Sequence, residues 1–263
     1  MEFGIKNKAV IVTASSKGLG KATALELAKE GARVLISSRN EEELQKTASE
    51  IIELSGNQHV YYTTCDMTKP EDIRSLVKTA VTKLGGVDIL VNNTGGPPAG
   101  GFQQFDDDDW QYAFELNLLS YIRTIREVIP HMRNRNGGRI VNIASSSIKQ
   151  SIDGLILSNT FRTGMVGLSK SLSRELAGEH ILINTVGPGR IATERVAQLD
   201  QINAEKQNLS VEELKSMSEK SIPIGRYGEP NEFARVIAFL VSDANTYLTG
   251  QSLVVDGGMV TAL

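Results

Sequence analysis

The sequence contains few of the residue types that build disulfides and metal centres. Cys65 is the only cysteine in 263 residues, so no internal disulfide and no multi-cysteine metal site can form. The three histidines, His59, His131 and His180, are far apart in the sequence, which argues against a histidine-rich metal centre. We therefore expect a site without a metal.

Long apolar runs and a strong net charge are also missing. No apolar run approaches the roughly 18 residues of a membrane span, and the start of the chain, MEFGIKNKAV, lacks the charged-then-apolar pattern of a signal peptide. The net charge of −3 gives no bulk attraction to nucleic acid. We expect a cytoplasmic protein that binds neither membrane nor nucleic acid.

Strand and helix patterns alternate along the whole chain. Residues 6–34 combine an apolar run (Ala9 to Val12), a turn with two glycines, a helix pattern and a second apolar run, which is the size of one βαβ unit. The alternation continues to a last strand at residues 252–255, without a composition break that would mark a second domain. It predicts an α/β Rossmann fold, a doubly wound parallel sheet of seven strands with helices on both faces, over residues 1–263.

Two long helices are predicted at residues 107–131 and 155–178. Asp106 to Asp109 begin the first helix, and we interpret these four carboxylates as caps that complement the helix dipole rather than as metal ligands. We interpret Gly187 to Gly189 as a turn, and the polar residues 193–220 as helical with few core positions.

In a doubly wound sheet the ligand lies off the carboxyl ends of the strands. The segments predicted at those ends are 13–20, 37–39, 65–66, 92–96, 144–147 and 187–193. In the first of them, the turn exposes backbone N–H groups at the positive end of a helix dipole, where a phosphate group fits.

The segments at the strand ends resemble the short-chain dehydrogenase/reductase family, most of all its β-ketoacyl-acyl-carrier-protein-reductase group. The family pattern T-G-x-x-x-G-x-G is present as Thr13, Ala14, Gly18 and Gly20, with Ala14 in place of the first glycine, and Asn-Asn-Ala-Gly is present as residues 92–95. The likeness covers nearly the whole chain and implies the same fold and a dinucleotide cofactor.

Further residues of the family pattern follow in the expected order. Asp66 stands where the family places an acid near the adenine ring, Asn117 is the helix asparagine, and Thr193, after Pro188-Gly189, stands where the family contacts the nicotinamide carboxamide. The resemblance implies cofactor contacts from Thr13, Ser15, Ser16, Lys17, Gly18, Leu19, Gly20, Ser38, Arg39, Asp66, Met67, Asn93, Thr94, Gly95, Arg162, Pro188, Gly189, Ile191 and Thr193.

The end of the second strand indicates which dinucleotide is bound. An acidic residue there would bind the ribose 2′-hydroxyl of NAD, whereas a basic residue accepts the 2′-phosphate of NADP. The chain has Ser38 followed by Arg39, with Lys17 as a second cation in the glycine turn. We therefore predict NADP(H) rather than NAD(H), although either cation alone could equally be a solvated surface charge.

The sequence departs from the family at the catalytic residues. Ser145 matches the family serine, but Ser158, 13 residues later, stands at the tyrosine position, and Arg162 stands at the lysine position. A serine hydroxyl is a far weaker acid than a phenol, and Arg stays charged, so the usual proton donor is missing. We predict Asn117, Ser145, Ser158 and Arg162 as the catalytic set.

Three functions remain open at this point. The first is an NADP(H)-dependent reductase of a small or acyl-carrier-linked carbonyl compound, in which water or another group supplies the proton. The second is an inactive NADP(H)-binding sensor or partner subunit, and the third is an elimination or isomerisation in the same pocket. The resemblance also implies a substrate-covering segment at residues 190–226, and a homotetramer or homodimer through the two long helices.

Overall fold

The computed structural model describes residues 3–262, which form one seven-stranded parallel sheet in the order β3-β2-β1-β4-β5-β6-β7. All neighbouring strands pair in parallel. The strands are β1 (Ala9–Val12), β2 (Arg33–Ser38), β3 (Val60–Thr64), β4 (Ile89–Asn92), β5 (Gly138–Ile143), β6 (Ile181–Pro188) and β7 (Ser252–Val255). The order reverses between β1 and β4, and this confirms the predicted doubly wound fold.

Helices cover both faces of the sheet. They are α1 (Gly18–Lys29), α2 (Glu41–Ser55), α3 (Pro70–Leu84), α4 (Asp107–Phe114), α5 (Ser120–Arg133), α6 (Ile156–Leu176), α7 (Glu194–Gln207), α8 (Val211–Lys220) and α9 (Pro230–Val241). No helix in residues 3–262 is both long enough and apolar enough to cross a membrane.

The core consists of two layers, one on each face of the sheet. Along β1 the residues alternate between them: Val10 and Val12 pack in the layer that contains Leu27 of α1, whereas Ala9 and Ile11 pack in the other. This alternation follows from the two-residue period of a strand, and every β1 residue is buried because helices cover both faces.

The first long helix differs from its prediction in one respect. Asp106 caps α4 by accepting hydrogen bonds from the backbone N–H groups of Asp108 and Asp109, which confirms the capping interpretation. Between α4 and α5, however, residues 115–119 form a π-helical turn. Such a turn inserts one residue without interrupting the helix, so the apolar pattern of the sequence gave no sign of it.

The prediction of a turn at Gly187 to Gly189 was wrong in part. β6 continues through Pro188, since Gly187 and Pro188 pair with Val254 and Val255 of β7. Pairing with the neighbouring strand outweighs the local preference of a Gly-Pro pair for a turn. The loop after β6 therefore begins at Gly189.

Candidate active site

A cavity of about 910 Å³ lies at the carboxyl ends of the strands, as the fold predicts. It extends from the turn after β1, past the ends of β2 and β3, to the loops after β4, β5 and β6 and to α7. The predicted site residues that line it are Ser16, Lys17, Gly18, Leu19, Ser38, Arg39, Asp66, Met67, Asn93, Thr94, Gly95, Ser145, Ser158, Arg162, Pro188, Gly189, Ile191 and Thr193.

Two predicted cofactor contacts, Thr13 and Ser15, are fully buried and hold the turn together instead of lining the cavity. Thr13 Oγ1 accepts a hydrogen bond from Asn93 N at 2.7 Å, which ties the turn after β1 to the loop after β4. Ser15 Oγ donates to Val12 O at 2.6 Å and accepts from Ser37 N at 3.0 Å. Both hydroxyls therefore have their partners within the protein, and their side chains position the turn.

Gly20, also predicted as a cofactor contact, lies beneath the turn rather than in the cavity wall. A Cβ at this position would lie 2.5 Å from Ala14 O and 2.9 Å from Asn93 Nδ2. The absence of a side chain therefore lets α1 pack directly against the turn.

The start of α1 provides a cradle for an anion. The helix begins at Gly18 without a side-chain cap, and its first turn contains no acidic residue. Because the first N–H groups of a helix lack partners within it and carry partial positive charge, this end of α1 fits a phosphate group. Ala14, in the turn before α1, has φ +45°, a backbone conformation in which residues other than glycine are strained.

Two cations line the cavity near this cradle. Lys17 Nζ forms an ion pair with Glu194 of α7 at 2.9 Å, and the hydrogen bond and charge of Glu194 raise the pKa of Lys17. Arg39 is exposed. Both side chains of the Lys17–Glu194 pair are largely exposed, and such a pair contributes about 0–1 kcal/mol, so an anionic ligand can compete with Glu194 for Lys17.

Asp66 follows β3 at the same side of the cavity. Partial burial raises its pKa, but hydrogen bonds from the backbone N–H and hydroxyl of Thr68, together with the charges of Arg39 and Lys69, outweigh that effect and leave the pKa below its usual value. The carboxylate is therefore ionised at neutral pH and held by the protein.

Arg162 projects from α6 into the floor of the cavity, with 4 % of its surface exposed. Its Nη1 donates to Tyr121 OH and to Ile143 O, both at 2.8 Å, and its Nη2 donates to Thr94 Oγ1 at 3.4 Å. We call Tyr121, Thr94 and the Ile143 carbonyl the guanidinium socket. Arg162 thus places a permanent positive charge beneath the cavity.

Ser145 and Ser158 line the same end of the cavity. Ser145 Oγ accepts from Ser147 N at 3.1 Å, which leaves its hydroxyl proton free for a ligand. Ser158 is 8 % exposed, and its side chain lies in the cavity wall. Two hydroxyl groups and a guanidinium therefore line one cavity, and such groups can hold a carbonyl oxygen or an oxyanion.

Asn117 lies in the π-helical turn and does not line the cavity. Its Nδ2 donates to Thr94 Oγ1 at 3.0 Å and to Gly95 O at 2.9 Å, whereas its buried Oδ1 has no partner among the described residues. Asn117 therefore supports the loop after β4 from below.

Helix α7 is attached to both walls of the cavity. Glu194 pairs with Lys17 on the glycine turn, and Arg195 Nη2 donates to Pro97 O at 2.9 Å on the loop after β4. Further along α7, Asp200 is buried and forms an ion pair with Arg190, and it also accepts from Tyr227 OH at 2.9 Å.

The sequence analysis missed two residues that shape the site, Tyr121 and Glu194. Tyr121 lies one helical turn after Asn117, and that spacing could have indicated that both side chains reach the loop after β4. Nothing in the sequence indicates that Glu194 meets Lys17, 177 positions earlier. In residues 3–262, no group of three or more His, Cys, Asp or Glu side chains could hold a metal ion.

Comparison with known proteins agrees with this geometry. A family model described as Enoyl-(Acyl carrier protein) reductase matches residues 13–260. Dehydrogenase/reductase SDR family member 4 of Oryctolagus cuniculus is 34 % identical over 260 residues, covering 98 % of this chain and 96 % of the rabbit protein. The 3-oxoacyl-[acyl-carrier-protein] reductase FabG of Thermotoga maritima is 32 % identical over 256 residues, covering 97 % and 99 % of the two chains.

A solved structure is similar over the full length of both chains. L-Sorbose reductase from Gluconobacter frateurii, crystallised with NADPH and L-sorbose, superposes with a TM-score of 0.95 at 31 % identity and covers 100 % of each chain. The match of the family model to most of the chain and the likeness to full-length relatives identify the protein. It belongs to the short-chain dehydrogenase/reductase family of oxidoreductases.

Proposed function

We propose that this protein is an NADP(H)-dependent reductase of a carbonyl compound, with a catalytic site built from serine and arginine. The observation that carries the proposal is one continuous cavity, which is lined by the uncapped start of α1 and Arg39 as well as by Ser145, Ser158 and Arg162. A dinucleotide needs a phosphate cradle at one end and a reaction site at the other.

The cofactor assignment rests on the residues around the end of β2. Ser38 carries no charge that would repel a 2′-phosphate, Arg39 is an exposed cation beside it, and Lys17 is held by a pair that a phosphate can displace. The NADPH bound by the sorbose reductase supports NADP(H) over NAD(H). Asp66, Met67, Asn93 and Gly95, with the residues after β6, line the remaining wall.

We further propose that Ser158 and Arg162 replace the tyrosine and lysine of the family. Both residues lie on α6 at the cavity, one helical turn apart, which is the placement that the sequence spacing predicts. Tyr121 does not take over the role of the missing phenol, because it is fully buried beneath Arg162. At the positions where the family has a tyrosine that exchanges a proton and a lysine beside it, this cavity has a serine and the permanently charged Arg162.

The proposed reaction depends on stabilising the negative charge that develops on the carbonyl oxygen. When bound, NADP(H) supplies a hydride for the carbonyl carbon. As the carbonyl π electrons move to oxygen, Ser145 and Ser158 donate hydrogen bonds to it and the Arg162 charge stabilises the developing oxyanion. The oxygen takes its proton from water, since neither hydroxyl is a useful acid near neutral pH. The products are an alcohol and the oxidised cofactor.

Residues 190–226, which include α7 and α8, are proposed to cover the substrate. The Glu194 and Arg195 contacts place the start of α7 across the cavity, between the glycine turn and the loop after β4. The polar character of this segment fits a small ketone or aldehyde, and the FabG likeness supports a 3-oxoacyl group on an acyl carrier. Assembly as a homotetramer or homodimer through α4, α5 and α6 is part of the same proposal.

A second candidate function is an inactive NADP(H)-binding protein, a sensor or partner subunit. The observation that favours it is the chemistry of the catalytic end, where the two serines and Arg162 include no group that exchanges a proton near pH 7. Such a protein would bind NADPH as the reductase does, but no carbonyl compound would oxidise the cofactor.

The test is a fluorescence titration with NADPH and NADH, followed by a screen of carbonyl compounds for NADPH oxidation. Tight NADPH binding with turnover supports the reductase, whereas tight binding without turnover on any compound supports the second candidate. The double variant Ser158→Tyr with Arg162→Lys tests the assignment of these positions. A gain of ketone reduction is expected, and no change in a folded double variant would contradict it.

A further inference from the structure

We propose that Tyr121 is a positioning residue for Arg162. Together with the rest of the guanidinium socket, its hydroxyl holds the Arg162 side chain in one orientation, as a fixed charged donor at the floor of the cavity. The role of Tyr121 in catalysis rests on the proposed function. Its effect on the orientation of the Arg162 guanidinium can be measured without cofactor or substrate.

The contacts form a closed set around Nη1. Arg162 Nη1 donates to Tyr121 OH and Ile143 O, both at 2.8 Å, and Tyr121 OH donates to the same carbonyl at 2.8 Å. Thr94 Oγ1 lies 3.4 Å from Tyr121 OH, and it accepts from Arg162 Nη2 at 3.4 Å and from Asn117 Nδ2 at 3.0 Å. Two protein acceptors, the Tyr121 hydroxyl and the Ile143 carbonyl, therefore hold Nη1 from one side.

These contacts solvate a buried positive charge that no carboxylate of the described chain neutralises. Arg162 is 4 % exposed, and none of the ion pairs among residues 3–262 involves it. An unpaired buried charge is costly unless polar groups solvate it. Tyr121 provides two such interactions, the hydrogen bond to its hydroxyl and the face of its ring, whose centroid lies 5.7 Å from Arg162 Cζ.

The socket also decides which donors remain for a ligand. Nη1 is held by Tyr121 and Ile143, and one Nη2 proton is directed at Thr94. The Nε–H and the second Nη2 proton of Arg162 have no partner in the described chain. Since Arg162 lines the cavity, these are the donors that a ribose hydroxyl or an oxyanion would meet. A guanidinium that rotated freely would offer them in the required direction for only part of the time.

Tyr121→Phe is the sharpest perturbation, because it keeps the ring and removes only the hydroxyl. Tyr247→Phe is the matched control, since Tyr247 is 95 % exposed and does not line the cavity. If Tyr121→Phe does not fold, Thr94→Val provides the second variant, because it removes the contact to Nη2 and leaves both contacts of Nη1.

The first measurement follows the Arg162 guanidinium by NMR in the protein without added ligand, with its signals assigned through Arg162→Lys. Slow rotation about Nε–Cζ and slow exchange of the Nη protons are expected in the wild type and in Tyr247→Phe, with both at least tenfold faster in Tyr121→Phe. Equal rates in the wild type and Tyr121→Phe would overturn the proposal. In Thr94→Val a smaller acceleration is expected, and unchanged rates in that variant would count equally against the socket.

The second measurement is a double-mutant cycle on the dissociation constant of NADPH. Tyr121→Phe is expected to weaken binding about fivefold, the effect of one ordinary hydrogen bond, and to have less than a twofold effect in an Arg162→Gln background. Equal weakening in both backgrounds would show a general structural role and overturn the proposal. If the wild type binds no NADPH, the proposed function fails and the NMR result alone decides the role of Tyr121.

Discussion

Arg39→Ala removes the exposed cation at the end of β2 that we assign to the 2′-phosphate of NADP(H). A charge-assisted hydrogen bond contributes about 1.5–3 kcal/mol, and exposure at the surface reduces this to about 1–2 kcal/mol. The dissociation constant of NADPH should therefore rise about 5- to 30-fold. That of NADH should change less than about twofold, because NADH has no 2′-phosphate for Arg39 to contact.

The assay is an equilibrium fluorescence titration with both cofactors at two salt concentrations. The effect on NADPH should shrink as salt rises, since the interaction lies at the surface. Lys206→Ala is the matched control, because Lys206 is also an exposed cation in the cavity wall but lies on α7. Equal weakening of NADPH and NADH by Arg39→Ala would refute the assignment of the 2′-phosphate.

Three further predictions concern the turn after β1 and the end of β3. Glu194→Gln frees Lys17 from its ion pair and should tighten NADPH binding about two- to fivefold in the same titration. Weaker binding would contradict the idea that Glu194 and the cofactor phosphate compete for Lys17. Ala14→Gly relieves a residue at φ +45° and should raise the free energy of unfolding by up to about 1 kcal/mol in urea titrations, with a clear loss of stability as the opposing result. Asp66→Asn should lower the stability at pH 7, because the pKa of Asp66 lies below its usual value in the folded protein. That difference should shrink as the pH falls and the Asp66 carboxylate of the folded protein is protonated. A difference that does not change with pH would contradict the role of the carboxylate charge and of Thr68.

The sequence predicted the fold because local patterns repeat along the whole chain. Each strand is short, apolar and followed by a helix, so the parallel sheet and the ends that face the ligand follow from topology rules. The end of β6 was misread because its Gly-Pro pair obeys the pairing with β7 rather than its own local preference.

The site was predictable to the level of which segments meet, but not to the level of side-chain partners. Most predicted contacts line the cavity, yet the hydroxyls of Thr13 and Ser15 bond to Asn93 and to the backbone of β1 and β2. Only the three-dimensional packing distinguishes the two roles. The Tyr121–Arg162 contact joins residues 41 positions apart, and the Lys17–Glu194 pair spans even more of the chain. Spacing along one helix or strand carries no information about such contacts.

The central claim is that a site with Ser145, Ser158 and Arg162, and without the family tyrosine, reduces a carbonyl compound with NADPH. The most direct measurement follows NADPH absorbance at pH 7 across a panel of small ketones, aldehydes and 3-oxoacyl thioesters, for the wild type and for Arg162→Met. The account predicts turnover by the wild type on at least one class, with a loss of at least about 100-fold in kcat for Arg162→Met, since removal of one donor to an oxyanion costs this much. Oxidation of NADPH at equal rates by both proteins, or tight NADPH binding by the wild type without turnover on any compound, would contradict it.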